Sequence, residues 1–453
     1  MRTSFEVRPP NIYALLASSK RLHFRKSFII KLLLIGCLCV SFTFAFLGKG
    51  PFYTKKQHFT GGLQSELPSA RVENLGNPWV NRYPEPEWSY ARNIWTMRWF
   101  NNRLYVGGGN SSNYGLATNA GPVPILAFDE STKAWVQEGQ VDDEQIDRFV
   151  LLDGKFATPG HDPRQSWKLG NLYIKGASGE WKKYRNIPDA VHTYDVISHN
   201  GSWFAALGTA KGGAIAQSVD QGNSWVITHT MPTRAYTFVK MGSNLYVMPA
   251  LHLHSGKTDH TAFQLVNVEW RATDGLTPTY WFPKTKLKSN GRLKILKSVS
   301  LGQNSIYIGA YTHNDHQSIP FGVYVAAVNT SGKWEAQKLE LPNGFEPWDI
   351  VQREDSVYLL LNRRNSETAD VQIWRLLRDR PHTLMPVLTL NVPGFARSME
   401  ERGGFFYIGI GSEADPKQPL VTQAIHSQTG SVLRVRPVST IQPGSNSPPS
   451  TLK

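Results

Sequence analysis

The chain has 453 residues, of which 38 are Gly, 28 are Pro and 11% are aromatic, while only 19% are charged. Many turn residues and aromatic side chains with modest charge are typical of short strands and count against a helical bundle. The net charge of +14 is concentrated in the first 60 residues, which hold ten Lys or Arg and one Glu, so the other 393 residues carry only +5. So low a charge over so long a segment excludes the dense basic surface of a nucleic-acid-binding protein.

The N-terminal segment has the pattern of a membrane anchor. Residues 28–47 are twenty largely apolar residues, enough to cross a bilayer, and residues 1–27 form a basic arm. The arm predicts a cytoplasmic N-terminus, with the rest of the chain outside the cytoplasm. A cleaved signal sequence ending near Ala45 is the alternative, and it would make the protein secreted. Because both cysteines, Cys37 and Cys39, lie in this segment, the exported part has no disulfide or thiolate site.

The rest of the chain contains an internal repeat, a short strand that carries an aromatic residue, as in NNRLYVGGG and GQNSIYIGA. The seven aromatic anchors are Tyr105, Phe156, Phe204, Tyr246, Tyr307, Tyr358 and Tyr407, at intervals of 42 to 61 residues. Nine residues before each anchor stands a small hydroxyl or carboxylate side chain, and these form the polar column: Thr96, Asp147, Asp195, Thr237, Ser298, Asp349 and Ser398. Repeats of about 40–50 residues with several short strands predict the blades of a β-propeller.

Most repeats add a second hairpin that contains a Trp, so each repeat accounts for four strands. The predicted fold is therefore all-β, a seven-bladed β-propeller of four-stranded antiparallel blades over residues 90–437, preceded by the N-terminal transmembrane helix. Residues 48–89 are interpreted as a linker and a segment that closes or caps the ring. The Ser/Pro-rich residues 438–453 are predicted to be a disordered tail.

One of these hairpins carries a recognisable motif. Residues 218–225, SVDQGNSW, match the Asp-box pattern S-x-D-x-G-x-[S/T]-W, and the chain therefore resembles the β-propellers with bacterial-neuraminidase-type repeats, such as sialidases and sortilin-like receptors. In such a turn the Asp accepts backbone hydrogen bonds and the Trp packs beneath the hairpin. The resemblance implies the fold and not an activity, because Asp-boxes are structural turns remote from the active sites of those enzymes.

Histidines cluster in the loops that follow the second strands of the predicted blades. Neutral His is a common metal ligand, so these loops predict a divalent metal site. The alternative is that they are polar surface loops with no ligand. The candidate metal ligands are His161, Asp162, His252, His254, His313 and His316.

The entries to the inner strands concentrate charged and aromatic residues at the same end of the predicted propeller. The candidate acid and base groups are His192, Asp195, Glu144, Asp147 and Glu346. The candidate substrate-binding residues are Arg148, Arg234, Tyr194, Tyr236, Trp348, Trp167 and Arg397. Arginines that bind carboxylates, together with His and Tyr, suit an acidic sugar. The alternative is that these side chains only hold neighbouring blades together.

The combined prediction is an extracytoplasmic, membrane-anchored propeller that binds a glycan, with glycoside hydrolase or polysaccharide lyase activity as an open question. In a lyase, His or Tyr would serve as the base while a cation neutralises the uronate carboxylate. The competing hypotheses are a non-catalytic protein-interaction scaffold and a factor for envelope or membrane-complex assembly. No nucleic-acid partner is expected.

Overall fold

The computed structural model describes residues 67–113, 116–252, 262–273, 277–287, 292–313, 317–413 and 425–438. Their strands form seven antiparallel sheets, each built on four strands, and this arrangement is a seven-bladed β-propeller. The first strands of successive blades pack against one another, so they surround the axis of the ring. The predicted fold class is therefore confirmed for the propeller.

Blades one to four follow one another along the chain, and within each blade every regular strand pairs with the next one. Blade three also includes two short strands from the chain segment of blade two, Asp143–Gln145 and His161–Pro163. The four regular strands of blades one to four are, in order, Thr96–Phe100, Arg103–Gly107, Val123–Asp129 and Ala134–Val141; Val150–Leu152, Lys155–Pro159, Leu169–Lys175 and Trp181–Pro188; His192–His199, Ser202–Thr209, Gly212–Ser218 and Val226–Met231; Ala235–Met241, Asn244–Pro249, Phe263–Val266 and Glu269–Ala272.

Blade seven takes its outermost strand from the start of the propeller. Ala70–Asn74 pairs antiparallel with Val432–Pro437, so the two ends of the described chain meet in one sheet. Blade five carries one extra short strand, Leu251–His252, and the two helical segments are Pro86–Arg92 and Pro278–Trp281. The remaining strands are Arg292–Leu301, Asn304–His313, Gln317–Val328 and Trp334–Lys338 in blade five; Glu346–Arg353, Ser356–Arg364, Thr368–Leu377 and Arg380–Pro393 in blade six; Phe395–Arg402 and Phe405–Gly411 in blade seven.

The aromatic anchors all lie on the second strand of their blades. Six of the seven are buried, and Tyr358 is half-buried. In blade one Tyr105 packs against Phe156 of blade two with ring centroids 4.7 Å apart, so an anchor fills the space between neighbouring sheets. Large apolar side chains on both faces of a strand are expected where sheets pack face to face.

The polar column joins neighbouring blades. Asp195 accepts hydrogen bonds from Thr237 Oγ1 and the backbone N–H of Phe238 in the next blade, both at 3.0 Å. Ser398 Oγ donates to the carbonyl of Ile94 at 2.7 Å, which ties blade seven to blade one. Asp349 accepts from the backbone N–H of Met399 at 2.7 Å. These side chains satisfy backbone groups that would otherwise be buried without partners.

The turn at residues 218–225 in blade three is held by hydrogen bonds to its aspartate. Asp220 accepts from the backbone N–H of Ser224 at 2.9 Å and from its hydroxyl at 2.5 Å. These bonds lower the pKa of Asp220 to about 2. Gly222 has a φ of +88°, and a Cβ there would lie 2.9 Å from the ring of Trp203. The turn is thus a local device that fixes a hairpin at the outer part of the blade.

The predicted anchor at residues 28–47 and most of the predicted tail at 438–453 lie outside the described residues. Among the residues that are described, no helix has the length and apolar character needed to cross a membrane.

Candidate functional site

A cavity of about 440 Å³ lies at one end of the propeller axis. All seven blades contribute to its wall, because the inner strand of every blade begins there. One lining residue from each blade, in order, is Trp95, Arg148, His192, Tyr236, Lys294, Trp348 and Arg397. The blade arrangement therefore brings together side chains that are up to about 300 residues apart in the sequence (Trp95 and Arg397).

The histidines of the cavity are positioned by the extra strands of blade three. The strand His161–Pro163 pairs with the start of the inner strand so that His161 faces His192 directly. Their ring centroids are 5.3 Å apart. Asp162 lies between them, with its carboxylate oxygens 2.8 Å from His192 Nδ1 and 3.9 Å from His161 Nε2. The contact with His192 Nδ1 is close but is not aligned as a hydrogen bond.

The two histidines have opposite protonation preferences. Burial disfavours the charged form of His161, but the adjacent Asp147, whose Oδ2 lies 2.8 Å from Nδ1, and Asp162 overcome that cost and raise its pKa to about 9. For His192 burial is decisive and lowers the pKa below its ordinary value, with Asp162 opposing the shift. At neutral pH the cavity thus holds one protonated and one neutral imidazole side by side, which is an arrangement suited to paired proton transfer.

Two tyrosines and two cations form the adjoining wall. Tyr194 stacks on His192 with centroids 5.0 Å apart and lies 4.8 Å from Tyr236. Arg234 donates to Tyr194 Oη at 2.6 Å, and Lys294 donates to Tyr236 Oη at 2.9 Å. Among the described residues, no carboxylate oxygen lies within 4.0 Å of either cation. The two cations of this wall thus have no described ion-pair partner, although the charge of Lys294 also helps to lower the pKa of Asp147.

The opposite wall of the cavity is aromatic. Its cation, Arg397, already has hydrogen-bond and ion-pair partners. The guanidinium of Arg397 lies 4.2 Å from the centre of the Trp95 ring and 5.8 Å from that of Trp348. It also donates to Asn93 Oδ1 at 2.8 Å and pairs with Glu413. Arg397 is buried, so its role is to fix the two indole rings as well as to line the cavity.

The inner strands of five blades each contain a β-bulge whose side chain faces the axial cavity. In blades three to seven the pairing of the first and second strands skips one residue, which is a β-bulge. The skipped residues are Tyr194, Tyr236, Leu296, Trp348 and Arg397, and every one lines the cavity. A bulge re-aims one side chain without ending the strand. The cavity wall is therefore built by the same local device repeated around the ring.

Three donor groups could hold a divalent cation. His161, Asp162 and His192 offer ligand atoms that all lie within 4.8 Å of one another, a two-His, one-carboxylate set that suits Zn²⁺. His161 would first have to lose the proton that Asp147 stabilises. Of the other candidate metal ligands, His254 and His316 fall outside the described residues, and for His252 and His313 only the backbone is described.

Most of the predicted site residues meet at this cavity. Ten of them line it: Asp147, Arg148, His161, Asp162, His192, Tyr194, Arg234, Tyr236, Trp348 and Arg397. Asp195 lies behind the wall, where it pairs with Arg148 at 2.7 Å as well as with blade four. It is therefore occupied by structural contacts.

Glu144, Glu346 and Trp167 do not line the cavity. Burial, with the charge of Asp162, raises the pKa of Glu144 to about 7. Glu346 lies 3.3 Å from Arg364 of its own blade, so its carboxylate is paired there. Trp167 is 61% exposed in a surface loop. The sequence pattern placed Glu144 and Glu346 at strand entries and Trp167 in a loop after a second strand, but it could not specify which way each side chain points.

Several lining residues were missed by the sequence analysis, among them Trp95, Lys294 and Lys297. A signal was present: the position ten residues before each anchor, directly ahead of the polar column, is aromatic or cationic in every blade except blade two. These residues are Trp95, Tyr194, Tyr236, Lys297, Trp348 and Arg397, and all six line the cavity. Lys294 is not at this position of the repeat. It lines the cavity because the inner strand of blade five, Arg292–Leu301, begins earlier relative to its anchor.

Comparison with known proteins gives neighbours in structure only. No family model matches the chain, and no curated protein matches it in sequence. Similar solved structures include the hydrazine synthase of Kuenenia stuttgartiensis, at 12% identity and a TM-score of 0.44 over 71% of this chain and 93% of that chain. An ulvan lyase, described as a new polysaccharide lyase family, has 12% identity and a TM-score of 0.44 over 74% of this chain and 90% of its own.

The β-propeller domain of the trilobed protease from Pyrococcus furiosus has 9% identity and a TM-score of 0.41 over 70% of this chain and 90% of that domain. At such low identity and TM-score none of these likenesses assigns an activity. The class that fold and site define is a seven-bladed propeller with a polar, partly cationic axial cavity.

Proposed function

We propose that this protein binds an acidic saccharide in the axial cavity and cleaves it by β-elimination. The observation that carries the proposal is the juxtaposition of the His161–His192 pair with Arg234 and Lys294, two cations without a described carboxylate partner. The two cations would then bind the sugar carboxylate, and the histidine pair would lie beside the C–H bond that reacts.

Binding rests on charge and shape. Arg234 and Lys294 lie on adjacent blades on the same side of the cavity, so both can approach one carboxylate. Hydrogen bonds from cations to a carboxylate are stronger than neutral ones, and a guanidinium can bind it through two parallel N–H groups. On the opposite wall the half-buried indole ring of Trp95 lines the cavity and supplies apolar surface for a sugar ring.

The chemistry requires a base, an acid and charge neutralisation. In β-elimination the base removes the proton on the carbon next to the carboxylate, the C–O bond one carbon further breaks, and a C=C double bond forms between those two carbons. Neutral His192 is the proposed base, and protonated His161 gives its proton to the departing oxygen. Arg234 and Lys294 stabilise the negative charge that develops on the carboxylate.

Hydrolysis is less well supported by the same residues. It normally requires one carboxylic acid and one free carboxylate on either side of the bond. The carboxylates of the cavity wall each contact a basic side chain: Asp147 contacts His161, Asp162 contacts His192, Asp349 contacts Lys297 and Glu413 contacts Arg397. Histidine and tyrosine are therefore the better candidates for proton transfer.

The cellular location is part of the proposal. The apolar residues 28–47 would anchor the protein in a membrane, with residues 1–27 in the cytoplasm and the propeller outside. Cleavage after this segment would release the propeller instead. Both versions expose the cavity to extracellular polysaccharides, which fits an acidic-saccharide substrate.

The test is an activity screen of the full-length protein on uronate-containing polysaccharides, followed by the ultraviolet absorbance of the unsaturated uronate. We expect product from at least one polymer and a loss of about 100-fold or more in rate for His192→Ala, in line with the usual contribution of a general base. His382→Ala, which changes an exposed histidine on an outer strand, is the matched control. Chelator treatment should leave the rate unchanged.

Three results would contradict the proposal. Activity lost on chelation and restored by one equivalent of zinc would assign His161, Asp162 and His192 to a metal. Binding of no acidic polymer, together with tight retention of a protein partner, would favour an interaction scaffold. Binding without any product would reduce the function to saccharide recognition.

A further inference from the structure

We propose that the opposite end of the propeller carries a second site, which binds the sulfate or carboxylate group of an acidic saccharide. A pocket of about 660 Å³ lies there between blades six, seven and one. The strand Thr96–Phe100 relates the two sites: Thr96 lines the axial cavity, whereas Trp99 and Phe100 at its other end line the pocket. This proposal stands on its own residues and does not depend on the lyase activity.

The pocket contains two arginines available to an anion. Arg402 is exposed and lies 4.4 Å from the centre of the Trp99 ring, where its NH2 group donates to Asn102 Oδ1 at 2.6 Å. Arg375 is half-buried and donates to Ser356 Oγ at 2.9 Å. Within the described part of the chain neither guanidinium has a carboxylate within 4.0 Å. Each therefore keeps N–H groups free to bind an oxyanion.

The indole ring of Trp99 forms an apolar part of the pocket wall. Trp99 is 9% exposed, and the guanidinium of Arg402 lies 4.4 Å from the centre of its ring. This contact holds Arg402 at the pocket, so less side-chain freedom is lost when an oxyanion binds there.

The other charged residues of the pocket are largely committed. Arg353 pairs with the buried Glu400 and donates to the carbonyl of Glu401 at 2.8 Å. The Glu401 side chain accepts from the backbone N–H of Gly404 at 2.8 Å and lies 3.9 Å from Arg353. Glu354 is exposed at the rim. Glu354 also has no described cation within 4.0 Å, so the pocket holds two uncommitted cations, Arg375 and Arg402, against one uncommitted carboxylate, and this excess of positive charge favours an anion over a cation.

Calorimetric titration of the full-length protein with short dextran sulfate and carboxymethyl-dextran oligosaccharides tests the site, with unmodified dextran as the neutral probe. We expect the double variant Arg375→Gln, Arg402→Gln to lose one class of binding sites, or about tenfold or more in its affinity, for one of the two charged probes. Arg378→Gln is the matched control, because that arginine pairs with Asp355 on the same blade at 2.6 Å and does not line the pocket.

Arg234→Gln, a change in the axial cavity, should leave this class of sites intact. Loss of the second site can therefore be distinguished from loss of saccharide binding in the axial cavity. The basic N-terminal arm is common to all variants and cancels in the comparison. The proposal is overturned if the double variant, with an unchanged melting temperature, binds both charged probes like the wild type. Equal binding of neutral dextran would overturn it as well.

Discussion

At the scale of single residues, the state of His161 depends on how Asp147 is held. Asp147 Oδ2 lies 2.8 Å from His161 Nδ1, and its other oxygen accepts from Gln145. Gln145 in turn accepts from the backbone N–H of Ser111 at 2.9 Å. The chain of contacts reaches from blade one to the cavity, so Asp147 is a positioning residue for His161 rather than a reacting group.

Asp147→Asn should lower the pKa of His161 toward its ordinary value, because the largest stabilising charge is removed. If protonated His161 is the acid, the alkaline limb of the pH–rate profile moves to lower pH. Asp379→Asn, at an exposed turn in blade six, serves as the comparison and should leave the profile in place. A profile that keeps its alkaline limb in Asp147→Asn would rule out His161 as the titrating acid.

The same pKa predicts a pH dependence of stability. The folded protein holds a proton on His161 up to about pH 9, whereas the ordinary value is 6.5, so the folded state binds more protons between these limits. The stabilisation is complete below about pH 6.5 and is lost as the pH rises toward 9. We expect the free energy of unfolding to fall by roughly 1–3 kcal/mol over this window. Denaturant titrations at several pH values should show a smaller fall in Asp147→Asn.

At the scale of strands and blades, the polar column explains why some predicted site residues are structural. Asp195 receives bonds from Thr237 and Phe238 of blade four and neutralises Arg148 of blade two. One carboxylate therefore connects three blades. The β-bulge beside it sends Tyr194 toward the axis instead. On this inner strand, Asp195 therefore joins the blades while its neighbour Tyr194 lines the cavity.

Asp195→Ala should destabilise the protein by about 3–5 kcal/mol, because it leaves the Arg148 guanidinium, which contacts it at 2.7 Å, without its partner. The double variant Asp195→Ala, Arg148→Met should regain part of that loss, since no unpaired charge remains. Chemical denaturation of both variants measures the effect. If the single variant is as stable as the wild type, the inter-blade role of Asp195 is wrong.

At the scale of the whole molecule, ring closure depends on one strand from the beginning of the propeller. Ala70–Asn74 pairs with Val432–Pro437 through five register positions. The pairing joins the first and last described segments, so it covers the exposed edge of blade seven. An uncovered edge presents unpaired backbone groups to other chains.

Removal of residues 1–74 should lower the melting temperature and promote aggregation, whereas removal of residues 1–66 leaves the closing strand in place and should not. The physical reason is the loss of the Ala70–Asn74 pairing from blade seven. Differential scanning calorimetry with light scattering compares the two truncations directly. Equal melting temperatures would show that closure of the ring does not depend on this strand.

The sequence by itself was sufficient to identify the seven-fold repeat, and the repeat was sufficient to predict a seven-bladed propeller. A buried aromatic about every 50 residues, preceded by a small polar residue, can pack only if successive sheets stack face to face, and the anchors Tyr105 to Tyr407 do lie on the second strands. It also determined that His161, His192 and Arg234 belong to the loops and strand entries at one end. Local pattern was sufficient there because strand alternation fixes the face of each side chain.

Only the tertiary structure decided which polar residues meet. The same entry region holds Glu144 and Tyr194, but Tyr194 sits on a bulge and lines the cavity while Glu144 does not. The opposite protonation of His161 and His192 follows from contacts with Asp147 and Asp162 together with their burial, none of which the sequence spacing specifies. These contacts join residues of blades two and three, and they arise only when the strand His161–Pro163 pairs beside the inner strand of blade three.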